Sequence, residues 1–209
     1  MNISFAVPVC NERLEIERLL GYLIKNKKKD DEIIILMDEE NVTKEVEDFV
    51  EDFVHLYLNE DNVYCYWNPL RKDFSQHKNC LNGFCKGDYI FQIDADEIPQ
   101  QDLMENIHEI VEQNEVDVIW IPRINLVHGL DQEHIQKWGW RLNEKNYINW
   151  PDYQARVYRN TPDIKWENKV HEKLTGHKTE GHLVQEELAL LHIKEIDRQE
   201  KQNKFYSEI

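Results

Sequence analysis

From Ile3 to Ile121, short apolar runs alternate with stretches whose apolar residues recur every three or four positions. Ile3-Ser4-Phe5-Ala6-Val7 reads as a strand, and Leu14, Leu19, Leu20, Leu23 and Ile24 then mark a helix. Glu32 to Met37 is a second buried strand, followed by helical spacing through Val42, Val46, Phe49, Val50, Phe53 and Val54. Val63 to Trp67, a helix over Ser75 to Cys85 that ends near Gly87, and Asp88 to Ile93 repeat the unit. A helix through Leu103, Ile107, Ile110 and Val111 leads to Val116 to Ile121, stopped by Pro122. Such alternation requires right-handed crossovers and a mostly parallel central sheet with helices on both faces, so an α/β fold is predicted. Ligands bind such sheets in the crevice beyond the carboxyl ends of the strands. That places Pro8 to Glu12, Asp38, Trp67 to Arg71 and Asp94 to Glu97 at the candidate site.

After Pro122 the regularity fails. Residues 123–151 carry His128, Gly129, Trp138, Trp140 and Trp150 without a period, which predicts a long functional loop with short helical pieces. Tyr153 to Tyr158, Lys169 to Leu174 and Leu188 to Ile193 are predicted strands, and Lys194 to Ile209 a polar terminal helix.

Charge narrows the function classes. Against 25 basic residues stand 41 acidic ones, a formal charge of −16, so the chain is expected to repel nucleic acid. No apolar run approaches the length of a membrane span, and Met1 to Val9 lacks the pattern of a secretory leader. The expected protein is soluble and cytoplasmic, with no integral membrane segment. Cys10, Cys65, Cys80 and Cys85 lack close-pair metal spacing and read as reduced, mostly packed thiols. The basic run Lys25 to Lys29 falls where the first helix ends, and cations there complement the helix dipole.

Asp94 and Asp96 follow the fourth strand with one small residue, Ala95, between them. Two carboxylates turned into one crevice are oxygen ligands suited to Mg²⁺ or Mn²⁺. Acids at a strand end also cap a following helix, and Pro99 fits that reading, so the pair alone leaves both open.

The order of segments is more specific. Val7-Pro8-Val9-Cys10-Asn11-Glu12 closing the first strand, Asp38 closing the second, and Gly87 to Glu97 around the fourth together resemble the family 2 glycosyltransferases of the GT-A fold. Gln154-Ala155-Arg156-Val157-Tyr158-Arg159 and then Val170-His171-Glu172 are similar to a bacterial branch of that family related to lipopolysaccharide-core glucosyltransferases. The resemblance implies a hexosyltransferase performing inverting transfer from a nucleotide-sugar, commonly UDP-linked, to a glycan or other hydroxyl acceptor, with Mn²⁺ or Mg²⁺ as cofactor. It implies one GT-A-like domain over residues 1–209. Residues 1–122 would bind the nucleotide-sugar, and a smaller acceptor-side region, 123–209, would follow.

Carried across, Pro8, Val9, Asn11 and Glu12 would line the nucleotide pocket and Asp38 would hydrogen-bond the base. Lys78 and Asn79 would stand near the donor. Asp94 would face the ribose, and Asp96 of the Asp94-Ala95-Asp96 (DXD) motif would bind the metal, completed by His171. Inversion needs a general base on the acceptor side. Asp152 is the first choice and Glu172 the second, with Glu97 behind them. Trp138, Trp140 and Trp150 offer platforms for a sugar ring.

Two other classes stay in play. A nucleotidyltransferase would need a Gly-rich basic loop after the first strand, which Pro8-Val9-Cys10-Asn11-Glu12 is not. A nucleotide-sugar-binding module without turnover would carry the same binding residues.

Overall fold

The computed structural model describes residues 1–58 and 61–206. Its seven-stranded sheet is built from β1 (Ile3–Val9), β2 (Glu32–Asp38), β3 (Val63–Asn68), β4 (Tyr89–Gln92), β6 (Val118–Ile121), β8 (Gln154–Arg159) and β11 (Glu180–His182). The order is β11-β6-β8-β4-β1-β2-β3. β1 pairs in parallel with β2 and β4, and β2 with β3, while β8 runs antiparallel between β4 and β6. The predicted mostly parallel α/β architecture is thus the one observed.

Both faces are covered, which is why β2, Glu-Ile-Ile-Ile-Leu-Met-Asp, is buried along its whole length. On one face Phe5, Val7, Ile33, Ile35 and Phe91 meet α1 (Arg13–Asn26), α2 (Lys44–Tyr57) and α4 (Gln101–Asn114). α1 buries Ile16, Leu19, Leu20 and Leu23, each worth about 1.5–3 kcal/mol when fully removed from water. On the other face Ala6, Ile34, Leu36 and Ile90 pack with Leu81 of α3 (Phe74–Phe84) and with a hairpin of β9 (Lys165–Glu167) and β10 (Lys173–Thr175).

A second, three-stranded sheet joins β5 (Glu97–Pro99), β12 (Leu190–Glu195) and β7 (Arg123–His128). In it Glu97, His192 and Asn125 fall in one row, because His192 is in register with both neighbours. A one-turn 3-10 helix at Glu186–Leu188 leads into β12, and α6 (Ile196–Tyr206) follows β12 without a loop.

Three expectations are corrected. Residues 123–151 hold a short helical piece as expected, α5 (Gln132–Trp138), but the rest is not loop throughout: it also contains β7 and a bridge between Leu142 and Ile148. β7 was unreadable because its partner β12 lies far along the chain. The strand predicted over Lys169 to Leu174 shrinks to β10, because His171 adopts φ 53°, a left-handed conformation that interrupts an extended run. The terminal helix starts at Ile196, since Lys194 and Glu195 extend the β12 ladder opposite Val127 and His128. Residues 207–209 of that prediction lie outside the described residues. Among the described residues no helix is long and apolar enough to cross a membrane.

Candidate active site

A cleft of about 1000 Å³ opens over the carboxyl ends of β1, β2 and β4. Its walls include Pro8, Val9, Glu12, Asp38, Lys78, Asp94, Ala95, Asp96, Asp152, His171 and Glu172, so most of the residues singled out in the sequence converge there. Asn11 and Asn79 are not among them. Asn11 is exposed, and Asn79 pins β9 instead, accepting from the Trp166 N–H at 2.8 Å and donating to its carbonyl at 2.8 Å.

The turn after β1 is shaped by Glu12, whose Oε2 accepts the backbone N–H groups of Cys10 (2.9 Å) and Asn11 (3.0 Å). Burial, with the Glu12 and Asp38 carboxylates nearby, pushes the Cys10 thiol up to about 12, so it stays protonated at neutral pH. Asp38 is buried at the end of β2; its Oδ1 accepts the Leu70 N–H at 3.0 Å and its Oδ2 the Asn41 amide at 2.8 Å.

Beyond β4, acids and cations alternate in a network. The Arg156 guanidinium on β8 donates to Asp94 Oδ2, to Glu97 Oε1 at 2.6 Å and to Gln92 Oε1 at 3.0 Å. Arg123 continues it, donating to Glu97 Oε1 at 2.8 Å and, through two nitrogens at 2.7 and 2.9 Å, to Asp152 Oδ2. Asn125 gives that oxygen a third bond at 2.8 Å, and Gln154 donates to Asp152 Oδ1 at 2.9 Å. Burial alone would raise the Asp94 carboxyl; Arg156, with Lys78 and Arg123, overrides it and holds the group below the usual carboxylate range. Asp152 follows the same logic: burial opposes, but Arg123 and the two amides depress it.

Asp96 has separate partners. Its Oδ2 lies 3.0 Å from Lys194 Nζ, 3.5 Å from His192 Nε2 and 3.6 Å from Arg198 Nη2. Burial again works against ionisation, and His192, Lys194 and Arg198 together keep the carboxyl well below its ordinary value. Arg198 also reaches Glu12 at 3.3 Å and Glu15, tying α6 across the start of α1. Lys78 is committed elsewhere: its Nζ lies 2.5 Å from Glu172 Oε1 and 4.6 Å from the centroid of the Trp166 ring.

His192, Lys194, Arg123, Arg156 and Arg198 were assigned no role from sequence. His192 falls on a predicted strand but Lys194 in the predicted terminal helix; only because β12 runs on to Glu195 do the two share a face. Among the described residues no group of three or more His, Cys, Asp and Glu converges to hold a metal. Asp96 with His192 nevertheless pairs a carboxylate with an imidazole, a donor set suited to Mn²⁺ whose remaining ligands would come from phosphate oxygens. The charge of the walls agrees: six carboxylates face five Lys and Arg side chains, so an incoming diphosphate brings surplus negative charge.

Several solved structures share this arrangement of strands. S. aureus TarS 1-349 in complex with UDP-GlcNAc superposes with a TM-score of 0.66 at 16% identity, over 93% of this chain and 59% of that one. The mannosyltransferase PcManGT from Pyrobaculum calidifontis, in complex with GDP-Man and Mn²⁺, reaches 0.50 at 17% identity, over 58% of this chain and 35% of that one. This chain spans about 60% of the length of the TarS fragment. No match was found among curated proteins. The likeness to solved structures establishes the GT-A fold. The sequence model described as Glycosyl transferase family 2 matches residues 4–169, from the first buried strand through both carboxylates and the Arg156 strand. This chain therefore belongs to glycosyltransferase family 2.

Proposed function

We propose that this chain is an inverting, metal-dependent hexosyltransferase that moves a sugar from a UDP-sugar to a hydroxyl of a glycan or other acceptor. The observation that carries the reading is the placement of Asp94-Ala95-Asp96 at the mouth of a cleft large enough for a nucleotide-sugar, at the carboxyl end of β4. TarS was crystallised with UDP-GlcNAc, which favours a UDP-linked donor; PcManGT was crystallised with GDP-Man and Mn²⁺, which favours a divalent metal. Residues 1–209 act as one domain in this reading. Gln154 to Arg159 and Val170 to Glu172 support the bacterial lipopolysaccharide-core branch. The four free thiols fit a reducing, cytoplasmic setting.

Asp96 and His192 would hold Mn²⁺ or Mg²⁺, with His171 the ligand implied by the resemblance. Held there, such an ion would supply positive charge to stabilise the departing diphosphate. The chain's own residues do the rest. Pro8, Val9 and Glu12 line the nucleotide end, Asp38 presents its buried carboxylate to the base, and Asp94, oriented by Arg156, faces the ribose. Asp152 takes the proton of the acceptor hydroxyl as its oxygen bonds to the anomeric carbon, while the bond to the diphosphate breaks and the electron pair leaves with it. Asp152 is the base in this reading because Arg123 and Asn125 fix its Oδ2 in the cleft wall and leave Oδ1 with the single Gln154 bond.

The test is release of nucleoside diphosphate from a panel of nucleotide-sugars, with and without Mn²⁺. Metal-dependent release from one donor, lost in Asp96→Asn, is expected. Turnover unchanged in that variant would refute the reading, and tight donor binding without transfer to any acceptor would make the protein a binding module.

A further inference from the structure

Five Lys and Arg side chains line the cleft, and Arg156, Arg123 and Lys78 are held in ion pairs away from Asp96. Arg156 is shared by Asp94 and Glu97, and Arg123 by Glu97 and Asp152. Lys78 is held by Glu172 and lies over Trp166. Lys173 is exposed at the start of β10, where solvent screens it. Lys194 differs. Its side chain is only 4% exposed, it meets a single carboxylate oxygen, Asp96 Oδ2 at 3.0 Å, and its other partner is the neutral Gln202 amide at 2.6 Å. An ammonium has three N–H donors, so among the described residues these contacts leave one uncommitted in a buried cleft wall.

The position is fixed by the fold. β12 is held on both sides, by β5 and by β7, and α6 begins two residues after Lys194. The ammonium therefore has little freedom to follow solvent. A buried, preorganised cation beside the acid expected to meet the donor's diphosphate is well placed to bind a phosphate oxygen.

Resting on the nucleotide-sugar reading above, we propose that Lys194 recognises the diphosphate of the donor. As a positioning residue it would discriminate nucleoside diphosphates from nucleosides while contributing little to recognition of the base.

The test compares binding of UDP, UMP and uridine to the full chain by calorimetry at fixed salt with Mn²⁺ present, and repeats the ladder with guanine nucleotides. The parent is expected to bind the diphosphate more tightly than the nucleoside. Lys194→Met should lower diphosphate affinity by about tenfold, the size of one charge-assisted hydrogen bond, and leave nucleoside affinity near the parent's. Lys194→Gln, which can keep a bond to Asp96, gives the same comparison if the methionine variant does not fold, and Lys194→Arg should restore most of the diphosphate preference. Equal losses for diphosphate and nucleoside, or no loss for either, would overturn the assignment of Lys194 alone. A parent that binds neither UDP nor GDP would overturn the nucleotide-sugar reading and this inference with it.

Discussion

Glu97 and Arg156 form an ion pair sealed from solvent: the carboxylate is 0% exposed, the guanidinium 3%, and Nη2 lies 2.6 Å from Oε1. Glu97 belongs to the short strand β5 and Arg156 to the central strand β8, so the pair joins the two sheets beneath the cleft. Removing one partner of such a pair strips compensation from a buried charge, here Glu97, left with Arg123 alone, while Asp94 loses its guanidinium as well. Arg156→Met should therefore cost about 3–5 kcal/mol of stability, measured as a lower urea midpoint. A midpoint within error of the parent would show that the network contributes nothing to the fold.

His192 and His171 make opposing predictions for the metal. The structure brings His192 to Asp96, whereas the resemblance favoured His171. His192→Ala is expected to weaken Mn²⁺-dependent UDP binding by at least about tenfold, and His171→Ala by less. The check is Mn²⁺ titration monitored by electron paramagnetic resonance in the presence of UDP. A larger effect at His171 would return the ligand to the turn between β9 and β10.

For the base, Asp152→Asn should lower turnover by about 10²–10⁴ while donor affinity stays near the parent value. Glu172→Gln should mainly disturb Lys78 and show a smaller loss of turnover. Initial rates and donor binding on the same preparations decide between them; the reverse ranking would move the base to Glu172.

The depressed carboxyls set the acid limb of stability. Asp94, Asp96 and Asp152 each have a folded value below the ordinary one, so the unfolded chain binds protons first as pH falls. Their contribution is complete above the unfolded carboxylate value of about 3.9 and shrinks as pH drops through it toward the folded values. Urea midpoints should fall modestly as pH drops below about 6.5, where burial keeps the His77 imidazole from the proton that the unfolded chain takes up, and steeply below about pH 4. The Arg156→Met variant should show a shallower acid limb, because it lacks the cation that most depresses Asp94.

How much of this could be read without coordinates follows from where each kind of information lies. Periodicity is local: Ile33, Ile35 and Met37 alternate with Ile34 and Leu36 because both faces of β2 are covered, and that pattern is written within seven residues. The acids at Asp38, Asp94 and Asp96 were legible because a strand end is a local feature whose placement in an α/β sheet is general. The strand β7 was not, since its pairing with β12 depends on chain some 60–70 residues away and leaves no periodic mark.

The sequence by itself determined the α/β architecture, the crevice and the acids that face it, because burial and strand order follow from short-range apolar patterning. Only the tertiary structure decided which cation answers which acid. Arg156 reaches Asp94 through the β4–β8 register, and Lys194 reaches Asp96 because β12 lies between β5 and β7. Charge partners are chosen by proximity in three dimensions, and nothing in the local pattern of Asp94-Ala95-Asp96 names the strand that will lie beside it.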